Sequence, residues 1–282
     1  MTTLLSVRWD IIPIMMKEDF DCKQFSCRLN GLTAGYKSAN GNVIVCENLS
    51  VELTASSLTC LLGPNGGGKS TLLKTLTGVI PPISGEIEIN GVYMKSLDRM
   101  EIARIVSVVL TEKGHYNAMT GLDLVAMGRT PYTGFFGRLK KIDRDKINEA
   151  IEMTGVANLL DKKLTAVSDG ERQKLFIAKA LAQDTPFIVL DEPTAFLDFP
   201  SKVEIFKLMK KLANQQNKTV LMSTHDLDIA LPLSDNLWLL DKELGFKTGT
   251  VEMAGKQGWI DYYFGSPGIR YDNKEKHFNI TA

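Results

Sequence analysis

One nine-residue stretch, Gly63-Pro64-Asn65-Gly66-Gly67-Gly68-Lys69-Ser70-Thr71, constrains this chain more than any other. It fits G-x-x-x-x-G-K-[ST] in full, follows the apolar run Leu58–Leu62 and opens a helix-like run over residues 70–76. Strand, loop and helix in that order is the context in which such a loop cradles phosphate. Glycine at 63, 66, 67 and 68 accepts positive φ without steric cost, so successive backbone N–H groups converge on an anion at the helix N-terminus. Lys69 then reaches the β- and γ-phosphates of a nucleoside triphosphate, and the Ser70 hydroxyl holds Mg²⁺.

Bulk properties narrow the partners rather than name one. The 282 residues are 44% hydrophobic and 23% charged, a globular composition with one large or two closely packed domains. Lysine plus arginine and aspartate plus glutamate number 33 each, so net charge gives no case for a nucleic-acid or anionic-membrane partner, and none of nucleic acid is expected. Cys22, Cys27, Cys46 and Cys60 have no zinc spacing, which points to free thiols in a reducing compartment. Apolar runs are too short to span a bilayer, so the chain itself is expected to be soluble.

Taken in order, residues 1–28 show no clean period and read as an extension. From residue 29 short β-rich runs, at 32–36, 43–45 and 49–53, suggest an antiparallel sheet leading into the loop strand. Tyr36 ends the first run among polar neighbours, where its ring either packs or stacks on a base. Leu72, Leu73 and Leu76 share a helical face that stops at Gly78, and Asn90-Gly91 closes a hairpin. Residues 105–110 form a buried strand ending at Thr111-Glu112. Residues 113–184 are helical, with Leu122, Val125 and Ala126 on one face and Ile147, Ile151 and Thr154 on another, as in an inserted helical subdomain. Residues 246–282 read as a small closing element.

Three later stretches carry chemistry. Ser168-Asp169-Gly170-Glu171 precedes an amphipathic run and is either a capping box or, by the same geometry, an anion site. Phe187-Ile188-Val189-Leu190-Asp191-Glu192 is a hydrophobic strand ending in two carboxylates, costly unless a metal or cation meets them. With a phosphate loop upstream, Asp191 holds Mg²⁺ through water and Glu192 deprotonates the attacking water. His225 closes the buried strand at 219–223 on the same edge, where ligands of a parallel sheet collect, and a γ-phosphate contact is favoured.

These motifs in this order resemble the ATP-binding subunit of ABC transporters over roughly residues 29–245. The resemblance implies an α/β P-loop NTPase fold, with a RecA-like core of mixed sheet, an antiparallel β subdomain and an inserted α-helical subdomain. It equates residues 63–71 with Walker A, Asp191 and Glu192 with Walker B and its catalytic glutamate, and the segment from Ala195 to Asp198 with the D-loop. His225 matches the switch histidine and Tyr36 the adenine-stacking aromatic. The cofactors implied are ATP and Mg²⁺. The implied partners are a second copy, bound head to tail so that ATP lies between one Walker A and the other copy's Ser168 and Gly170, and an integral membrane permease. A substrate-binding protein acts indirectly, at the far side, with this subunit on the cytoplasmic face. Two departures stand out. The family's Leu-Ser-Gly-Gly-Gln is Val167-Ser168-Asp169-Gly170-Glu171 here, whose added charge weakens a phosphate contact unless the carboxylates turn toward caps or Arg172. The Q-loop glutamine is Glu112, which can still ligate Mg²⁺. The text from Met119 to Tyr132 looks like importers for ferric siderophores, haem and cobalamin. The alternatives are another ABC transporter, exporter or importer, and a soluble ABC-type ATPase without a permease.

Overall fold

The computed structural model describes residues 25–38, 41–110 and 118–280. Cys22 and Glu112, and all but the end of the expected N-terminal extension, lie outside the described residues. Strand β1 (Cys27–Tyr36) pairs antiparallel with β2 (Val43–Leu53), and the separate runs at 43–45 and 49–53 prove to be one strand interrupted by register shifts. Phe25 and Cys27 are buried, so the fold takes in the last residues of the stretch that lacked a period. Strand β3 (Leu58–Leu62) leads into the loop and α1 (Lys69–Leu76). Then come the hairpin of β4 (Ser84–Ile89) and β5 (Val92–Tyr93), helix α2 (Arg99–Ile105) and β6 (Val106–Val109).

A helical layer follows: α3 (Gly121–Ala126), α4 (Lys141–Thr154) and α5 (Asp169–Ala182). Leu124, Val125, Ile147, Ile151, Leu175 and Ala178 form its own hydrophobic cluster. Leu122, expected on the buried face, is 43% exposed, and Leu124 takes its place. The start of α3 lies so close to backbone that a Cβ on Gly121 would sit 2.4 Å from the Leu159 carbonyl oxygen, and Leu124 is one turn on along that same face.

The rest of the chain completes the sheet. Strand β7 (Phe187–Asp191), helix α6 (Phe199–Gln216), β8 (Thr219–Ser223), α7 (Leu227–Leu233), β9 (Asn236–Asp241) and β10 (Gly245–Thr250) precede α8 (Val251–Lys256), α9 (Trp259–Phe264) and the hairpin of β11 (Ile269–Asp272) and β12 (His277–Ile280). The main sheet runs β10-β9-β3-β8-β7-β6, parallel except for β10, and the antiparallel sheet runs β2-β1-β4-β5.

Both faces of the main sheet are covered, which is why its strands read as continuous apolar runs. On β7, Phe187 and Val189 join a cluster with α1 and the antiparallel sheet, whereas Ile188 and Leu190 join one with α6 and α7. Each such large side chain removed from water stabilises the fold by about 1.5–3 kcal/mol. Strands β3, β8 and β7 are neighbours, so the phosphate loop, His225 and the two carboxylates emerge at one edge. Cys27, Cys46 and Cys60 are free and buried, and burial pushes the Cys27 and Cys60 thiols up to about 12.

Candidate functional site

Glycine is required in the loop for two different reasons. Gly66 and Gly68 take φ of +75° and +104°, where a side chain is strained. Gly63, also at positive φ (+156°), and Gly67 lie against backbone: a Cβ on Gly63 would be 1.9 Å from the Leu240 carbonyl oxygen, and one on Gly67 3.0 Å from that of Pro64. Gly67 thus differs from the expectation of positive φ. Pro64, Asn65 and Gly66 are exposed at the crest, and Ser70 is exposed at the start of α1.

Lys69 is buried, and its Nζ donates to the carbonyl oxygens of Gly63 at 2.9 Å and Pro64 at 3.1 Å. Desolvation holds its pKa below the usual lysine range, against the pull of Glu192 and Asp191. The same Nζ lies 3.3 Å from His225 Nε2, which is 2.6 Å from Glu192 Oε1. Three residues from three separate parts of the chain therefore make one continuous polar contact.

Ser223 organises the carboxylates. It pairs with Asp191 in register across β7 and β8, and its Oγ donates to Asp191 Oδ1 at 2.6 Å while accepting from the Glu192 N–H at 2.9 Å. Asp191 is buried at 2% exposure, while Glu192 is held at φ +48°. Sequence reading missed Ser223, because nothing local signals a register between strands more than thirty residues apart. Tyr36 is 46% exposed, and its hydroxyl lies 3.2 Å from Thr71 Oγ1, so the ring stands beside the loop helix rather than in the core.

At the N-terminus of α5 the capping box is complete: Ser168 Oγ accepts from the Glu171 N–H at 3.2 Å, and the Ser168 N–H donates to Glu171 Oε2 at 2.9 Å. Those bonds hold the Glu171 carboxyl below its usual range. Asp169 is ion-paired with Arg172. Both added carboxylates thus turn toward a cap or Arg172, and the box occupies the N–H groups of Ser168 and Glu171. Gly170 faces the segment after Glu192, since a Cβ there would be 3.1 Å from the Phe196 carbonyl oxygen. Asp198 caps α6 by accepting from the Ser201 N–H at 3.2 Å. Among the described residues, no hydrogen bond joins Ser168 or Gly170 to the phosphate loop of the same chain.

The family model for ABC transporters matches residues 46–195, just over half of the chain. The chain belongs to the ABC transporter family. An uncharacterised ABC transporter ATP-binding protein of Methanocaldococcus jannaschii is 36% identical over 253 residues, covering 90% of this chain and 86% of the relative. The iron(3+)-hydroxamate import ATP-binding protein FhuC of Bacillus subtilis is 36% identical, covering 75% and 78%. The ferric enterobactin transport ATP-binding protein FepC of Escherichia coli is 35% identical, covering 74% and 77%. Among solved structures, a dimeric ATP-binding cassette in a post-hydrolysis state bound to ADP and Pi superposes with a TM-score of 0.71 at 25% identity, covering 80% of this chain and 98% of that one. This ABC protein is accordingly the ATP-binding subunit of a transporter and an ATPase, built on the P-loop NTPase fold expected from its motifs. No helix among its described residues is long and apolar enough to cross a membrane.

Proposed function

We propose that this ABC ATPase drives a separate membrane permease, on whose cytoplasmic face it sits, to import an iron chelate of the ferric siderophore type, haem or cobalamin. Relatives named for iron(3+)-hydroxamate and ferric enterobactin transport support the substrate class. A substrate-binding protein on the far side would deliver cargo without touching this chain. In its division of labour, we take the ATPase to begin with β1 at Cys27 rather than at residue 29, residues 118–184 to be the described part of the inserted helical unit, and residues 246–280 to close the fold.

The observation that carries the chemistry is the contact from Lys69 Nζ through His225 Nε2 to Glu192 Oε1, at 3.3 and 2.6 Å. ATP lies along residues 63–71 with adenine on the Tyr36 ring, and its phosphates replace the Gly63 and Pro64 carbonyls as partners of Lys69. Glu192 takes the proton of a water in line with the γ-phosphate, and His225 bridges that phosphate to the base. Ser70 and Asp191 are hard oxygen donors that fit Mg²⁺, with Glu112 a further carboxylate; the ion would neutralise charge on the β- and γ-phosphates. The helix end bearing Ser168 and Gly170 completes the site of a second copy bound head to tail, a reading supported by the dimeric cassette it resembles. There Ser168 stabilises the transferring phosphoryl, and Asp198 lies beside the shared nucleotide.

Two variants test this reading. Glu192→Gln is expected to bind ATP normally, lose turnover and accumulate as a closed dimer, whereas Lys69→Ala is expected to lose nucleotide affinity by equilibrium binding. Ordinary turnover in Glu192→Gln removes the role given to Glu192. Purification from membranes that recovers no polytopic partner counts against transport.

A further inference from the structure

Residues 134–137 form a turn closed by the Gly137 N–H donating to the Gly134 carbonyl oxygen at 3.2 Å, and its two corner residues are Phe135 and Phe136. They are 98% and 83% exposed, and their rings touch edge to face at 5.4 Å. Turn corners favour small polar residues, and a soluble surface gains nothing from two bare phenyl rings at a crest. Gly134 and Gly137 both take positive φ, a backbone conformation glycine adopts without strain.

The stem beneath is rigid. Arg129 is buried, its Nε donates to Asp143 Oδ1 at 3.0 Å, and the Tyr132 ring covers its guanidinium at 4.0 Å. Around the crest stand four exposed cations, Arg138, Lys140, Lys141 and Arg144, none of which pairs with a carboxylate among the described residues. Asp143 is buried against Arg129, and Asp145, just beyond Arg144, is the one exposed acid within residues 134–145, against four exposed cations. In a chain whose charges balance overall, this is a segregated positive patch around an apolar point.

We propose that this crest inserts into the headgroup layer of an anionic bilayer, the phenyl rings entering the apolar boundary and the cations meeting lipid phosphates. It rests on the reading that the chain works beside a membrane. The chemistry favours lipid over a protein partner. Charge complementarity carries the choice: an apolar tip flanked by unpaired cations matches a layer of phosphates above hydrocarbon.

The test is co-sedimentation of the full chain with vesicles of phosphatidylcholine, with and without phosphatidylglycerol. Partitioning is expected to rise with phosphatidylglycerol and fall with added salt. Phe135→Ser with Phe136→Ser should lower the partition coefficient at least about tenfold, and Arg138→Glu with Lys141→Glu by at least about tenfold. Both double variants should retain wild-type ATP binding, which reports an intact fold. Phe136→Trp should emit at shorter wavelength on adding anionic vesicles. Absent partitioning of the wild type, or partitioning indifferent to both double variants, overturns the proposal. So does a phenylalanine double variant that keeps vesicle binding but no longer co-purifies with membrane subunits, since the crest would then be a protein contact. Vesicle binding by the isolated chain is read without any membrane subunit, whereas the transport reading fails on recovery of no polytopic partner, so the two failures are distinguishable.

Discussion

Glu192 is a non-glycine residue at φ +48°, held there by two bonds from its N–H to Ser223, at 2.9 Å to Oγ and 3.2 Å to the carbonyl. Backbone strain of this kind costs about 1–3 kcal/mol and persists only where the surroundings over-determine it. Its result is a carboxylate turned to His225 while Asp191, one residue earlier, stays in the sheet. The loop glycines are set by space as much as by φ. Gly63→Ala would drive a Cβ to 1.9 Å from the Leu240 carbonyl oxygen, a rigid backbone atom, so either the loop or the end of β9 must move. The expected outcome is a folded protein with ATP affinity reduced at least about tenfold, because N–H convergence tolerates little displacement. Isothermal titration with ATP checks it, and unchanged affinity would mean that the loop opens freely. Residue identity here was legible in the motif; the reason for each glycine was not, since Leu240 is far along the chain.

At the scale of elements, polar links tie the helical layer to itself and to the sheet. Arg129 Nη1 donates to the Ala182 and Gln183 carbonyl oxygens at 2.9 and 3.2 Å, besides its pair with Asp143. With both partners almost fully buried, Arg129→Met leaves an uncompensated carboxylate and is expected to cost about 3–5 kcal/mol in urea unfolding. A cost near zero would mean that the buried pair contributes nothing net to stability. Asp184, just beyond α5, accepts from Lys218 at 2.7 Å and Lys146 at 3.0 Å, which joins α4 to the start of β8. Burial pushes its carboxyl up, but the two ammonium groups more than offset this and hold it below the usual range. The native state therefore binds fewer protons than the unfolded chain as pH falls through that interval. Its contribution is present above the unfolded pKa of about 4 and is lost on acidification through the folded value. Asp184→Asn should flatten the acid limb of the stability profile while lowering the neutral plateau by about 1–3 kcal/mol. Equal slopes for both proteins would remove Asp184 from that limb. The elements themselves were readable from apolar period, yet Leu122 and Leu124 exchanged roles because α3 rests on the Leu159 backbone.

For the whole molecule, the proposed head-to-tail pairing sets the phosphate loop of one copy opposite the end of α5 of the other. In a Glu192→Gln background, Lys69→Ala and Ser168→Asp should each impair ATP-driven dimers. An equimolar mixture of the two should recover some, because one of its two sites then contains both an intact Lys69 and an intact Ser168. Light scattering with ATP reads this directly, and a mixture no better than its components would contradict head-to-tail pairing. The capping box bears on the same assembly. Glu171 and Asp169 are engaged with Ser168 and Arg172, so part of the acidic signature's charge is met within α5 itself.

By itself the sequence determined the chemistry-bearing residues, because phosphate binding demands glycine, lysine and hydroxyl at fixed spacing along one continuous loop. Strand identity was equally local, since a parallel sheet covered on both faces requires unbroken apolar runs such as the one ending at Asp191. Only the tertiary structure decided which residues meet. The order β3-β8-β7 brings Lys69, His225 and Glu192 within hydrogen-bond reach, and the register of β7 on β8 recruits Ser223. Packing across a sheet is set by distant partners, and distance along the chain carries no record of them.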